Sequence, residues 1–151
     1  MLQLFMDPDV RAVFICIPVT VAVIVESLDL SILSSAQSQA LTMCQSISYN
    51  FFVQFLNSVA NGDVLMPTGL KMNLSDIYLF YTGLKYVPIT YDFAKYSLEF
   101  KLNDSRSRFR PSCKTCDGCG KLTIPIVERY EDMVDGWIDA ICNLVSGFTT
   151  A

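Results

Sequence analysis

At 151 residues the chain is about one domain long, large enough to bury a core without crosslinks or metal, so any cysteine staple is a local device. Apolar residues make up 52% and charged residues 17%, a charge-poor composition expected of a chain that hides part of its outside against a partner or a membrane. The net charge of −4 argues against a basic nucleic-acid footprint over the whole chain, and the absence of histidine excludes Ser/His, Cys/His and two-His zinc chemistry.

Charge is unevenly spread. Residues 1–70 carry Asp7, Asp9, Glu26, Asp29 and Asp63 against Arg11 alone, whereas acids and bases balance in 71–151. Residues 12–25, AVFICIPVTVAVIV, are apolar apart from Thr20, but the run between Arg11 and Glu26 is shorter than the roughly 20 residues of a spanning helix. The acidic Asp7 and Asp9 ahead of it are wrong for the basic start of a signal peptide. Val, Ile and Thr dominate around Pro18, which predicts one or two buried strands broken at the proline, no transmembrane span, and a place inside the cell or within a particle. In the following ESLDLSIL, Leu28, Leu30 and Ile32 alternate with Ser27, Asp29 and Ser31, the period of a half-exposed strand.

From Ser34 to Asn61 the period lengthens. Ala40, Cys44, Ile47, Phe51, Phe55 and Val59 recur at three- and four-residue steps, widened by Leu41, Phe52 and Leu56, and predict a helix over 36–60. Ser34 or Ser35 suits its cap and Asn61-Gly62 its end, and Cys44 on the stripe is expected to be a small buried hydrophobe. DIYLFYT at 76–82 is compatible with a short strand or a helical turn. KYSLEFKLN predicts a strand over 95–103, with Tyr96, Leu98, Phe100 and Leu102 opposite Lys95, Ser97, Glu99 and Lys101.

Residues 104–121, DSRSRFRPSCKTCDGCGK, form a polar, basic loop. Arg106, Arg108, Arg110 and Lys114 offer a phosphate or nucleic-acid contact, with Phe109 available to stack. The competing reading pairs them with the chain's own acids on the last helix, predicted from about Ile124 to Gly147 with Pro125 in its first turn. That helix has Val127, Tyr130, Val134, Trp137, Ile138, Ile141, Val145 and Phe148 on one face, and Glu128, Glu131, Asp132, Asp135 and Asp139 on the other. The sequons at Asn73 and Asn103 are no more than chance supplies.

The most specific signal is CKTCDGCG. Cys113, Cys116 and Cys119 fall at two-residue gaps, and Gly118 and Gly120 give the backbone freedom to wrap. Three thiolates suit a soft metal, and a closed zinc site needs a fourth ligand, for which Cys142 is nearest in sequence, with Cys44 and Cys16 as alternatives. The spacing also begins the bacterial ferredoxin run, but Thr123 stands where the fourth cysteine belongs. Six cysteines equally permit disulfides, or free thiols in a reducing setting. Cys113, Cys116, Gly118 and Gly120 are in register with CxxCxGxG, and this eight-residue segment resembles a repeat of the DnaJ-type zinc-binding region. That family assembles each site from several such repeats; this chain has one, so chaperone function is not carried over.

The expectation is a single α+β domain over 1–151: N-terminal buried strands, a central helix, a mixed strand region, a cysteine-stapled loop and a C-terminal amphipathic helix. The expected role is non-enzymatic, a structural or interaction subunit that associates with itself or with other proteins, for which a viral or other particle component is a fitting setting. Zinc at Cys113, Cys116, Cys119 and Cys142 is the expected cofactor. The alternative is a small zinc domain contacting nucleic acid through 106–121.

Overall fold

The computed structural model describes residues 17–34, 38–87, 96–102, 110–114 and 120–149, with side chains through 144. In chain order the elements are helix α1 (Val21–Glu26), strand β1 (Leu28–Asp29), a 3₁₀ turn (Ser31–Ser34), α2 (Gln39–Ala60), α3 (Leu74–Thr82), β2 (Tyr96–Lys101), β3 (Ser112–Lys114), β4 (Lys121–Pro125) and α4 (Tyr130–Thr149). The fold is α+β. Its mixed sheet has the order β1-β2-β4-β3, parallel across the first two pairings and antiparallel between β3 and β4.

The register explains the two faces of the sheet. Leu28 pairs with Tyr96, Leu98 with Leu122, Phe100 with Ile124 and Cys113 with Leu122, and all of these join the core against the helices. The other face carries Ser97, Glu99, Lys101, Ser112, Lys114, Lys121 and Thr123, with Lys121 salt-bridged to Glu99 at 2.6 Å. The strand expected over 95–103 is thus present as β2.

Three expectations are corrected. The strand reading of 12–25 fails where it is described: Val21–Glu26 is helical, capped by Thr20, whose Oγ1 accepts from Val23 N at 3.2 Å. Burying Ile24 in the core outweighs the weak strand preference of β-branched residues, and Pro18 stays outside the helix, ahead of its cap. Residues 12–16 lie outside the described residues. The alternating stretch from Ser27 contributes only the two-residue β1 before turning into 3₁₀ geometry. Finally, Ile124 and Pro125 belong to β4, and the last helix begins at Tyr130. Proline is tolerated there because β3 pairing stops at Thr123, so no neighbour on that side asks for its missing N–H, while Ile126 N bonds Lys101 O at 2.8 Å on the other side.

DIYLFYT resolves as helix. Asn73 caps α3 in a reciprocal box with Asp76, and Gly83 ends it at φ 76°, where only glycine is unstrained. One of the two sequon asparagines is therefore a helix cap; Asn103 lies outside the described residues. Among the described residues no helix is long and apolar enough to cross a membrane.

The long helix α2 shows the largest rotation of a predicted face. Ser38, not Ser34 or Ser35, is its cap, accepting from Leu41 N at 3.3 Å. Phe52, Phe55, Leu56 and Val59 are buried as the stripe predicts, but in the first half Gln45 and Ser48 turn inward while Ala40, Cys44 and Ile47 turn out. Cys44 is exposed, which corrects its expected burial. Polar residues can face the core here because Ser48 Oγ accepts from Val127 N at 3.0 Å and donates to Val127 O at 3.4 Å, tying α2 to the segment that leads into α4. Replacing Ser48→Ala strands both buried backbone groups. We expect a loss of about 1–3 kcal/mol in unfolding free energy, measured by urea denaturation, with the urea dependence unchanged.

Candidate functional site

The cysteine segment sits in the connection between two antiparallel neighbours. Lys114 of β3 pairs with Lys121 of β4, so Cys116 and Cys119 belong to the link that joins these strands; both lie outside the described residues, as do Arg106, Arg108 and Phe109. Cys113 is on β3, directed to the helix-covered side of the sheet, where it is half-buried and its Sγ donates to Phe80 O at 2.9 Å. Burial pushes its thiol pKa up. These are the surroundings of a protonated core thiol; ligation would require Cys113 to give up both its proton and its contact with α3. Cys142 is half-buried on α4. Among the described residues, no group of three or more Cys, Asp or Glu side chains is placed to hold a metal ion.

Gly120, read from the motif as a source of flexibility, has a steric reason. A Cβ at this position would overlap the ring of Tyr96, which lies over the glycine while Ser97 N bonds Gly120 O at 3.0 Å. Tyr96 is held in turn by Tyr81, edge-to-face at 5.4 Å, and Tyr81 also meets Tyr78 at 5.7 Å. The Tyr81 hydroxyl is 2.5 Å from Ser27 Oγ. Since Ser27 spends its own proton on Ile24 O at 2.7 Å, Tyr81 is the donor. Burial raises the Tyr81 pKa, the Ser27 bond opposing it, so this phenol stays protonated and serves as structure.

The basic segment meets the acidic helix. Arg110, just ahead of β3, forms an ion pair with Asp139 of α4 and so holds β3 against the last helix. Lys114 is exposed on the outer face of the sheet, directly opposite Lys121. The described positions of that face hold no aromatic ring, because Tyr96 and Phe100 point to the helices.

No family model, no curated protein and no solved structure matches this chain. Its surface must therefore be read on its own terms.

What the periodicity hid is on α2. Met43 is 62% and Ile47 42% exposed, and Cys44 and Ile47 line a groove of about 630 Å3 with Leu102, Ile126 and Val127, and with Glu128, Arg129 and Asp132 at its side. Leu102, expected on the core side of its strand, is 70% exposed just past the end of β2. A usable signal was present: α2 contains no charged residue from Gln39 to Ala60, unusual for a helix with one side in solvent.

Two measurements follow. In a double-mutant cycle, Gly120→Ala is expected to cost about 1–3 kcal/mol with Tyr96 present and under about 0.5 kcal/mol in the Tyr96→Ala background. For the cysteines, elemental analysis and intact mass with and without reductant are expected to show bound zinc or a disulfide, lost in Cys116→Ser. Neither metal nor bridge in the native protein would remove the staple.

Proposed function

We propose that the chain is a non-enzymatic interaction subunit of a larger protein assembly, with the cysteine loop as a structural zinc or disulfide staple. A viral or other particle component is the kind of setting this describes. The observation that carries the reading is the outward turn of an uncharged helix: Met43 and Ile47 leave apolar area in water, and Ile47 and Leu102 line a groove there. A chain without histidine, in which the strongly shifted Tyr81 phenol is locked on Ser27, offers scaffold in place of acid–base chemistry.

A second reading has one observation in its favour. Lys101, Lys114 and Lys121 share the outer face of the sheet, and Lys114 opposes Lys121 directly, a like-charge pair that costs stability unless an anion is near. A nucleic acid bound through this face and the loop 106–121 would relieve it. Against this, Lys121 is already paired with Glu99 and Arg110 with Asp139.

Size-exclusion chromatography of a native-source extract, followed by immunodetection, decides the leading reading. The chain is expected to elute in a complex well above its own 16.9 kDa, with no change on nuclease treatment. Elution at 16.9 kDa contradicts it, and a nuclease-sensitive complex favours the second reading.

A further inference from the structure

We infer that the groove between α2 and the entry to α4 receives a basic amphipathic segment of a partner protein. Its apolar side chains would lie against Ile47, Leu102 and Ile126, and its Lys or Arg side chains on the carboxylates of Glu128, Glu131 and Asp135. The inference rests on the interaction-subunit reading and names the chemistry of the partner.

The α2 side of the groove is apolar and the α4 side is acidic. Ile47, Leu102, Ile126 and Val127 line about 630 Å3, room on the scale of a ligand pocket, and α2 brings no ionised side chain to it. Leu102 is 70% exposed, area that an apolar partner side chain would take out of water. At the other side Glu128, Glu131, Asp132 and Asp135 stand against Arg129 alone, and Arg129 already bonds Asp132 at 3.2 Å. Glu128, Glu131 and Asp135 are exposed and make no ion pair among the described residues. The excess is local: the Arg129 pKa is raised first by the Asp132 bond, and also by the nearby charges of Glu131 and Asp135.

The layout of the acids selects the occupant. Asp132 walls the groove, Asp135 follows three residues on, and Asp139, held by Arg110, comes four after that, so the stripe leads out of the groove along one side of α4. The helix dipole accounts for Glu131 and Asp132 in the first turn but not for Asp135 beyond it. No three of these acids are placed to hold a metal ion, so a spaced series of cations suits the stripe and a single divalent ion does not. A nucleic acid or an anionic membrane is repelled from this side, and a second copy brings the same excess of acid to it. Lys101, next to Leu102 in sequence, is on the outer face of the sheet. A partner helix with apolar anchors at i, i+3, i+4 and i+7 and bases beside them reaches groove and stripe together.

Fluorescence anisotropy of the purified full chain with a labelled helical peptide, leucines at those four spacings and lysines elsewhere, is the test. Binding is expected, weakened by added salt and absent for the same peptide with glutamates in place of lysines. Ile47→Gln should weaken it by about fivefold or more and Glu131→Lys with Asp135→Lys by about tenfold or more, while Glu26→Lys, at an exposed acid on α1, leaves it unchanged. Circular dichroism of each variant should match that of the parent. No binding, equal binding of the glutamate peptide or an equal loss in Glu26→Lys overturns the inference. So does binding that appears only with Arg106→Gln and Arg108→Gln, which makes the chain's own basic stretch the occupant, or self-association in sedimentation that Ile47→Gln abolishes, which makes it a second copy. Failure with the peptide, together with a large complex in the native extract, overturns this partner and leaves the interaction-subunit reading standing; elution of the extract at 16.9 kDa overturns that reading, and the partner with it.

Discussion

Trp137 is the side chain on which the arrangement depends. Its indole is fully buried and stacks on Phe52 at 5.6 Å and Phe55 at 5.8 Å, with Phe80 edge-on at 5.4 Å, so one residue of α4 touches both α2 and α3. Ring pairs of this kind add to the area they bury and fix relative orientation as well as contact. With α4 seated this way, Asp139 half a turn on reaches Arg110, and β3 is held against the helix layer from its leading end. From the other side, Phe80 presents its carbonyl to Cys113. The cysteine-bearing connection thus hangs from a strand whose position is set by the aromatic core.

This seating also leaves defects. Among the described residues, Trp137 Nε1 and Gln45 Oε1 are buried with no protein hydrogen-bond partner, each a desolvation cost of about 1–3 kcal/mol that an apolar residue would not incur. Gln45 and Ser48 face inward on α2 while Met43 and Ile47 face out. A helix serving only its own core would be expected to place these residues the other way round. The inversion fits a helix whose outer side has a second requirement, in keeping with the proposed interaction-subunit role.

The alternation of Tyr96 to Lys101 was legible as a strand and the long period over 36–60 as a helix, the pattern agreeing with the packing along β2 and in the second half of α2. The N-terminal strands were not, because Val and Ile between Thr20 and Glu26 carry no period able to distinguish a short buried helix from a strand, and the deciding contact is the burial of Ile24. Pro125 misled for a different reason: a proline suits a first helical turn and equally a strand position beyond the reach of its neighbour, and only the length of β3 separates the two. In the site, the clasp between the basic segment and the acidic helix could be read from complementary charge, and it is made at Arg110 and Asp139. The constraint on Gly120 could not, since it comes from Tyr96 on another strand. Nor could the outward turn of Cys44 and Ile47, because apolar periodicity gives the width of a stripe and not which of its edges meets the core.

That outward turn is the central claim, and the reactivity of the Cys44 thiol measures it most directly. Thiol labelling of the native protein, followed residue by residue by mass spectrometry, should find Cys44 reacting rapidly in dilute solution, far ahead of Cys113, which is half-buried on Phe80 O. A Cys44 that reacts no faster than Cys113 would place it in the core and contradict the orientation of α2.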